Sequence, residues 1–493
     1  MAASIEQAQR DVEVAWEQVH ALAAEDRELA EFEGRLWSAL LALGCAATTL
    51  FLARAAAKPR PARYEQEGSW YMLNGERRTM QLGTRFGKVA FERPVGRAIA
   101  GRKRADFPVD RELGLCSGFS LGVVTALVKL CTLMAFATAR STFAAFQGWA
   151  PSQRATLRMV DALGSQAESF VEQTPAPQDD GDILVIQVDG RGAPMITSTE
   201  FLRRREPKRR TRGATHRLRR RKQRRRYPRV RRKKGDKSKN AKVAFVAVLY
   251  TLKKTRRGVE GPIGKRIIAT FESHEALFKK LVPEALKRGY GQKRTIFLGD
   301  GSEHIWRNQE KYLPHAEVCL DWYHLVEKLW VAGACLFHEG SYELHAWIAE
   351  QTARLRRGHV RAVFKALLDA FESVPKTGPG NKGRRNRLSQ VLQYFSEHEK
   401  RLNYRKLRDE DLDIGTGAVE GAVRNLVGMR LDGPGMRWGR DRAESLVQLR
   451  SILLSDQWED FCTYLESRNV RLAAQPVPTR THDADPHPTA EAA

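Results

Sequence analysis

A chain of 493 residues, 42% hydrophobic and 29% charged, has the composition of globular protein and the length for roughly three domains. Its six cysteines, Cys45, Cys116, Cys131, Cys319, Cys335 and Cys462, lie far apart with no CxxC pair, which argues against a disulfide framework or a zinc knuckle and fits a reducing cytoplasm. The net charge of +26 is concentrated, since Phe201 to Lys239 holds 22 Lys and Arg against two acids, Glu206 and Asp236. A run of that density points to nucleic acid, because each Lys or Arg set against a phosphate releases a condensed counterion. The blander readings, a solvated loop or a nuclear-type address signal, leave many like charges repelling one another with no anion nearby.

In chain order, Ser4 to Ala53 reads as helical, polar in its first half and apolar in its second. Acidic residues stand where a signal peptide needs a basic n-region. Leu36 to Ala53 is eighteen residues without a charge, at the lower edge of a membrane span; with Ser38, Gly44, Thr48 and Thr49 inside it, a buried or dimer-forming helix is expected and no membrane. Residues 1–62 are thus a helical region. Residues 63–111 are a small β-ribbon, from the short alternating segments around Gly75, Gly83 and Gly87. In residues 112–166, an apolar helix from Val123, a second over Thr138 to Phe146, a turn at Gly148 to Pro151 and Ser152 as N-cap of a third through Leu163 give the order of a helix-turn-helix, and equally of a structural helical hairpin. On the last helix Gln153, Arg154, Thr156 and Arg158 are the candidate DNA contacts. A linker, Ala167 to Asp180, follows.

The stretch from Ile183 to Val188 is a buried strand ending in Asp189, after which Gly190 and Gly192 open a hairpin. A carboxylate is unfavourable to bury unless it is paired or holds a metal. Residues 182–322 form the first part of the core and contain the basic insertion 201–240. There Lys242 to Leu252 reads as a strand, Ser273 to Arg288 as a helix, Thr295 to Leu298 as a strand ending at Asp300, and Ala316 to Leu320 as a strand ending at Asp321. Residues 323–410 read as a helical insertion broken around Thr377 to Gly383. Residues 411–472 hold an apolar helix with Glu420 near its start and an amphipathic one from Glu444 to Leu465, and residues 473–493 a disordered tail.

Asp189, Asp300 and Glu420 stand 111 and 120 residues apart. Acids from two strand ends and a packed helix can converge on one crevice and hold Mg²⁺, an oxygen-seeking ion, and two such ions suit phosphodiester chemistry. Each acid has an ordinary alternative: Asp-Gly is a common turn pair, and Glu420 near a helix start favours the helix dipole.

The order VDG at Val188 to Gly190, GDG at Gly299 to Gly301, CLDWYH at Cys319 to His324 and GTGAVEGAVRNLVGMRLDGPGMRW ending at Trp438 resembles insertion-sequence transposases of the ISKra type, within the Mutator-like DDE superfamily. The similarity covers roughly Glu112 to Leu465, and the last motif is the most specific. The resemblance implies an α/β fold with a ribonuclease H-like catalytic core and a helical insertion, preceded by a mostly helical DNA-binding region. It implies Asp189, Asp300 and Glu420 as catalytic residues and ligands of two Mg²⁺ ions, with Mn²⁺ as a substitute. Asp321 and His324 match an auxiliary Asp-x-x-His element; a second assignment makes Asp321 the second acid. Many members carry a Cys-rich knuckle where this chain reads RPVGRAIAGRKRADF, Arg93 to Phe107.

The implied function is transposition: cutting and joining double-stranded DNA at element ends and target, in the bacterial cytoplasm at the nucleoid, by a homodimer or larger assembly. The DNA contacts expected are Arg154 and Arg158, then Arg203, Arg204, Arg219, Arg220, Arg224 and Arg225 of the basic run, then Arg437 and Trp438. Two alternatives share these residues: a ribonuclease H-like nuclease or resolvase without strand transfer, and a DNA-binding derivative with an inactive triad.

Overall fold

The computed structural model describes residues 5–25, 27–100, 105–115, 118–196 and 241–468. The basic run, with Arg203, Arg204, Arg219, Arg220, Arg224 and Arg225, lies outside them, as does the C-terminal tail. The fold is mixed α/β and divides into two compact units, Met1–Ala167 with Gln457–Ala493, and Glu168–Asp456.

The first unit opens on a helical hairpin, α1 (Ile5–Leu22) and α2 (Leu29–Ala57). Ala8, Ala15 and Leu22 recur every seventh residue of α1, so they fall on one stripe, and that is the stripe α1 buries. The C-terminal end of α2 supplies Leu52 and Ala56 to a core closed by Met80, Leu82, Val89 and Phe91 from a four-stranded antiparallel sheet, β1 (Arg63–Gln66), β2 (Ser69–Gly83), β3 (Lys88–Ala98) and β4 (Ala105–Asp106). Trp37, Leu40 and Phe51 stay exposed, so of the two expectations for the apolar stretch of α2, a buried or a dimer-forming helix, the chain by itself does not supply the first. Among the described residues α2 is the one helix long and apolar enough to cross a membrane by length and composition.

After the short α3 (Pro108–Glu112) come α4 (Leu121–Leu133), α5 (Phe136–Gln147) and α6 (Gln153–Gln173). Their ends follow local chemistry. The Ser120 hydroxyl accepts from Val123 N, Gly148 takes the left-handed conformation at φ 71° that ends α5, and Ser152 Oγ accepts from Ala155 N at 3.2 Å. α6 runs ten residues past the expected stop at Leu163, and the boundary between the units falls inside it.

In the second unit five strands stand in the order β7-β6-β5-β8-β9. β5 (Ile183–Pro194), β6 (Ala241–Thr255) and β7 (Gly258–Thr270) are an antiparallel meander; β8 (Arg294–Gly299) pairs parallel with β5, and β9 (Glu317–Leu320) parallel with β8. The crossovers are α7 (His274–Lys287) and α8 (Glu303–Tyr312). The apolar run of β5 is buried at every residue from Ile183 to Val188, as a central strand covered on both faces requires. β7 is not announced by the pattern of its residues, because Gly258, Gly261, Pro262 and Gly264 interrupt its first half and only the end, from Arg266 on, is buried throughout.

The helical insertion is five helices where one long region with a single break is expected: α9 (Trp322–Gly333), α10 (Tyr342–Arg356), α11 (Val360–Ser373), α12 (Asn381–His398) and α13 (Tyr404–Asp409). α14 (Gly417–Val423) carries Glu420 and passes into a π turn, Arg424–Gly428. The expected single helix from Glu444 to Leu465 is two, α15 (Arg440–Leu454) and α16 (Trp458–Ser467), because Asp456 turns left-handed at φ 59° between them. α15 docks on β7 through Glu444, which accepts from Thr270 Oγ1 at 2.8 Å and Phe271 N at 2.7 Å.

Candidate active site

Strands β8 and β9 end side by side, next to the point where β5 leaves its parallel partner β8 and runs on to Pro194 against β6. Val188 pairs with Gly299 across β5 and β8, and Gly299 pairs with Leu320 across β8 and β9. Asp189, Asp300 and Asp321 are each the next residue, so one row of three carboxylates lies across strands spaced about 4.8 Å apart. The run of apolar residues that buries each strand thus fixes where its acid emerges.

Glu420 is brought to this row by a buried amide. Gln187, 1% exposed and two residues before Asp189, donates from Nε2 to Tyr250 Oη at 3.0 Å and to the Gly415 carbonyl at 3.4 Å, and its Oε1 accepts from Val419 N at 3.0 Å. Tyr250 in turn donates to Asp413 at 2.8 Å. One side chain on β5 therefore holds both sides of the turn that starts α14. Nothing local in the sequence marks Gln187, since its partners are 63, 228 and 232 residues away.

Asp321 is the most enclosed of the acids. Its carboxylate is buried; Oδ2 accepts from His324 N at 2.8 Å and faces His324 Nδ1 at 2.7 Å, while Oδ1 accepts from Thr416 N at 2.7 Å. Burial works to raise its pKa, and the hydrogen bonds from His324 and Thr416 outweigh it, so the group sits below the usual carboxylate range. His324 is pushed up to about 9, first by the hydrogen bond to Asp321 and against its own burial. Thr416 carries the contact on, donating from Oγ1 to Glu420 Oε1 at 3.1 Å.

Asp189 behaves oppositely. Burial raises its pKa first of all; the hydrogen bond from Gly190 N, 2.6 Å from Oδ1, and the charge of His324 hold it down, while the charges of Asp300 and Glu420 push it further up. Asp300 Oδ1 accepts from Ser302 N at 2.8 Å, and its carbonyl accepts from the Trp306 indole at 2.8 Å. Among the described residues Asp189, Asp300 and Glu420 make no ion pair with Lys or Arg. Asp321, His324 and Glu420 offer ligand atoms all within 4.8 Å of one another.

The donor chemistry fits hard divalent cations. Asp189, Asp300 and Glu420 offer carboxylate oxygens, and a dication would offset the burial and the neighbouring negative charges that together raise Asp189. Asp321 offers less, its oxygens being engaged by three donors.

No protein-family model and no curated protein matches the sequence. Among solved structures, one described as the Drosophila P element transposase strand transfer complex aligns with a TM-score of 0.29 at 9% identity, covering 68% of this chain and 92% of that one. A likeness at that score decides neither fold nor function.

The residues expected to touch DNA are scattered. Arg154 and Arg158 are exposed on α6, but Thr156 between them is buried and its hydroxyl donates back to the Ser152 carbonyl at 3.0 Å, so it faces the core. Arg437 is exposed. Trp438 is not: it is 7% exposed, its indole donates to the Leu431 carbonyl at 2.8 Å, and the Arg430 guanidinium lies 5.0 Å from its ring. Its backbone pairs with the chain leaving β5, from Trp438 N to Pro194 O at 3.1 Å and from Ile196 N to Trp438 O at 2.9 Å. The tryptophan is a packing residue that ties the last motif to the strand of Asp189.

Proposed function

We propose that the chain is a DDE-type transposase of the insertion-sequence kind suggested by its motifs, with a ribonuclease H-like core that cleaves and joins DNA. The observation that carries the reading is the meeting of Asp189, Asp300 and Glu420 from segments 111 and 120 residues apart. The strand order supports it: an antiparallel meander, then two parallel strands on the side of its first strand, is the ribonuclease H-like arrangement, and here each parallel strand end carries an acid.

On this reading Asp189, Asp300 and Glu420 hold divalent ions, which when bound neutralise phosphate charge and make a bound oxygen nucleophile more acidic. The chain's own part is positional. Gln187 fixes the third acid against the first, Asp321 fixes His324 and the Thr416 turn, and His324, with Nδ1 turned to Asp321, presents its other ring nitrogen on the half-exposed side of the site. The basic run, Phe201 to Lys239, follows β5 in the sequence, and its Lys and Arg are the residues expected to hold the DNA backbone.

Purified protein with Mg²⁺ or Mn²⁺ and a plasmid carrying the reading frame with its flanking DNA is expected to give nicked and joined products. Nicked products without joined ones indicate a nuclease or resolvase, and wild-type cleavage by Asp300→Ala refutes the assignment.

A further inference from the structure

One aromatic side chain of the helical insertion reaches the acid row. Tyr394 of α12 meets the backbone next to Asp300 with the edge of its ring: a Cβ added at Gly301 would stand 2.6 Å from Tyr394 Cζ and nearer still to the hydroxyl oxygen and the adjoining ring carbon. Contact that close needs a residue without a side chain at position 301, which gives the second glycine of the Gly-Asp-Gly motif a role apart from turn geometry. The ring is held from other sides as well. His398 packs on it edge-on at 4.7 Å between centroids and also lies against the Gly301 backbone, and Lys328 Nζ is 4.9 Å from its centroid.

The hydroxyl is different. It makes no hydrogen bond among the described residues; burial first, and then the charges of Asp300, Asp321 and Glu327, raise its pKa. The ring is held by Gly301, His398 and Lys328, and its hydroxyl stands beside Gly301 with a donor available to a bound group.

We propose that Tyr394 contacts the nucleic-acid strand at the acid row, its hydroxyl donating to a phosphate oxygen beside Asp300 while Gly301 leaves room for the ring. This rests on the cleavage reading above and adds the helical insertion to the substrate site. The acids by themselves repel a phosphate, and Lys328, whose Nζ lies 4.9 Å from the ring centroid, supplies a cation beside the hydroxyl to offset that repulsion.

The probe is metal-dependent nicking of the supercoiled plasmid, read together with duplex affinity by fluorescence anisotropy and with the thermal midpoint. Tyr394→Phe keeps the ring against Gly301 and removes only the donor; it should slow nicking about 10- to 100-fold with midpoint and affinity unchanged, the loss expected for one hydrogen bond to a charged group. Gly301→Ala should slow nicking by displacing the ring, and Gly301→Ala with Tyr394→Ala should stay slow, because the added methyl then fits but the hydroxyl is gone. Nicking at the wild-type rate by Tyr394→Phe, or recovery in the double variant, overturns the assignment and leaves Tyr394 as filler. A wild type that nicks no DNA overturns the cleavage reading itself and this proposal with it.

Discussion

The two ends of the five-stranded sheet treat buried acids in opposite ways. Where β5 and β8 begin, Asp180 is gripped by Arg288, which is 1% exposed and donates to it through Nε at 2.8 Å and Nη2 at 2.6 Å, with Lys293 at 3.3 Å and the Thr251 hydroxyl at 2.6 Å. The same guanidinium donates to the carbonyls of Gly264 and Ile263. Every charge there is matched inside the chain. At the other end the charges of Asp300, Glu420 and His324 all act on Asp189, and among the described residues none of the three acids is ion-paired with Lys or Arg. Acids left without a cationic partner at one end, when the other end neutralises its buried acid completely, are what the proposed binding of divalent cations requires.

Substitutions should separate the two ends. Asp300→Ala is expected to lower DNA cleavage on the order of 10³-fold, while its thermal midpoint holds or rises because a repelling charge is gone. Arg288→Ala should do the reverse in kind, costing about 3–5 kcal/mol in urea unfolding by leaving Asp180 buried without its partner. A destabilised Asp300→Ala, or an unaffected Arg288→Ala, breaks the contrast.

Asp321 tests the boundary between the two classes. It stands in the acid row, yet its oxygens are engaged like those of Asp180. Asp321→Asn should therefore cost both stability, by about 1–3 kcal/mol from the donors left unmatched, and activity, by roughly 10- to 100-fold through a loosened His324 and Thr416. A loss of cleavage as large as that of Asp300→Ala, with no loss of stability, would instead make Asp321 a primary ligand.

The smallest effect expected is in pH dependence, and it has opposite signs at the two ends. Burial raises the pKa of Asp180, but Arg288 and Thr251 outweigh it, so the folded value lies below the ordinary one; its contribution is present above the unfolded pKa and is lost as pH falls through the folded value. The folded pKa of Asp189 is raised, so its penalty is absent at low pH and grows as pH rises through that value. In urea midpoints measured across the acid range, Arg288→Ala should flatten the acid limb, and Asp189→Asn should gain stability towards neutral pH.

Much of this site is legible in the chain, and what is hidden has a common reason. An apolar run that stops at an acid followed by glycine picks out Asp189 and Asp300, but only β8 ends there: β5 runs on through Gly190 and Gly192 to Pro194, paired with β6, where a hairpin is expected. Glu420 is marked by the motif around it. Gln187, Thr416 and Tyr394 give no local signal, because each matters through a partner on another element: an amide buried in a strand looks like a misplaced polar residue until Gly415 and Val419 are packed on it. Trp438 misleads in the other direction. In a segment rich in Arg and Gly it looks like a surface contact, and only the pairing of its backbone with Pro194 and Ile196 shows it to be core. The insertion helices break at more places than the sequence suggests because capping residues such as Ser341 are indistinguishable from ordinary surface residues before the helices pack.

The central claim, that the acids at the strand ends are left unpaired in order to hold divalent cations, is tested most directly by titrating Mn²⁺ into the wild type and into Asp189→Asn and Asp300→Asn while following the thermal midpoint. The account predicts that the wild-type midpoint climbs with ion concentration, by about 2.7 kcal/mol of added stability at a hundredfold excess over the dissociation constant, and that either substitution removes most of the climb. Equal shifts in all three proteins would contradict it.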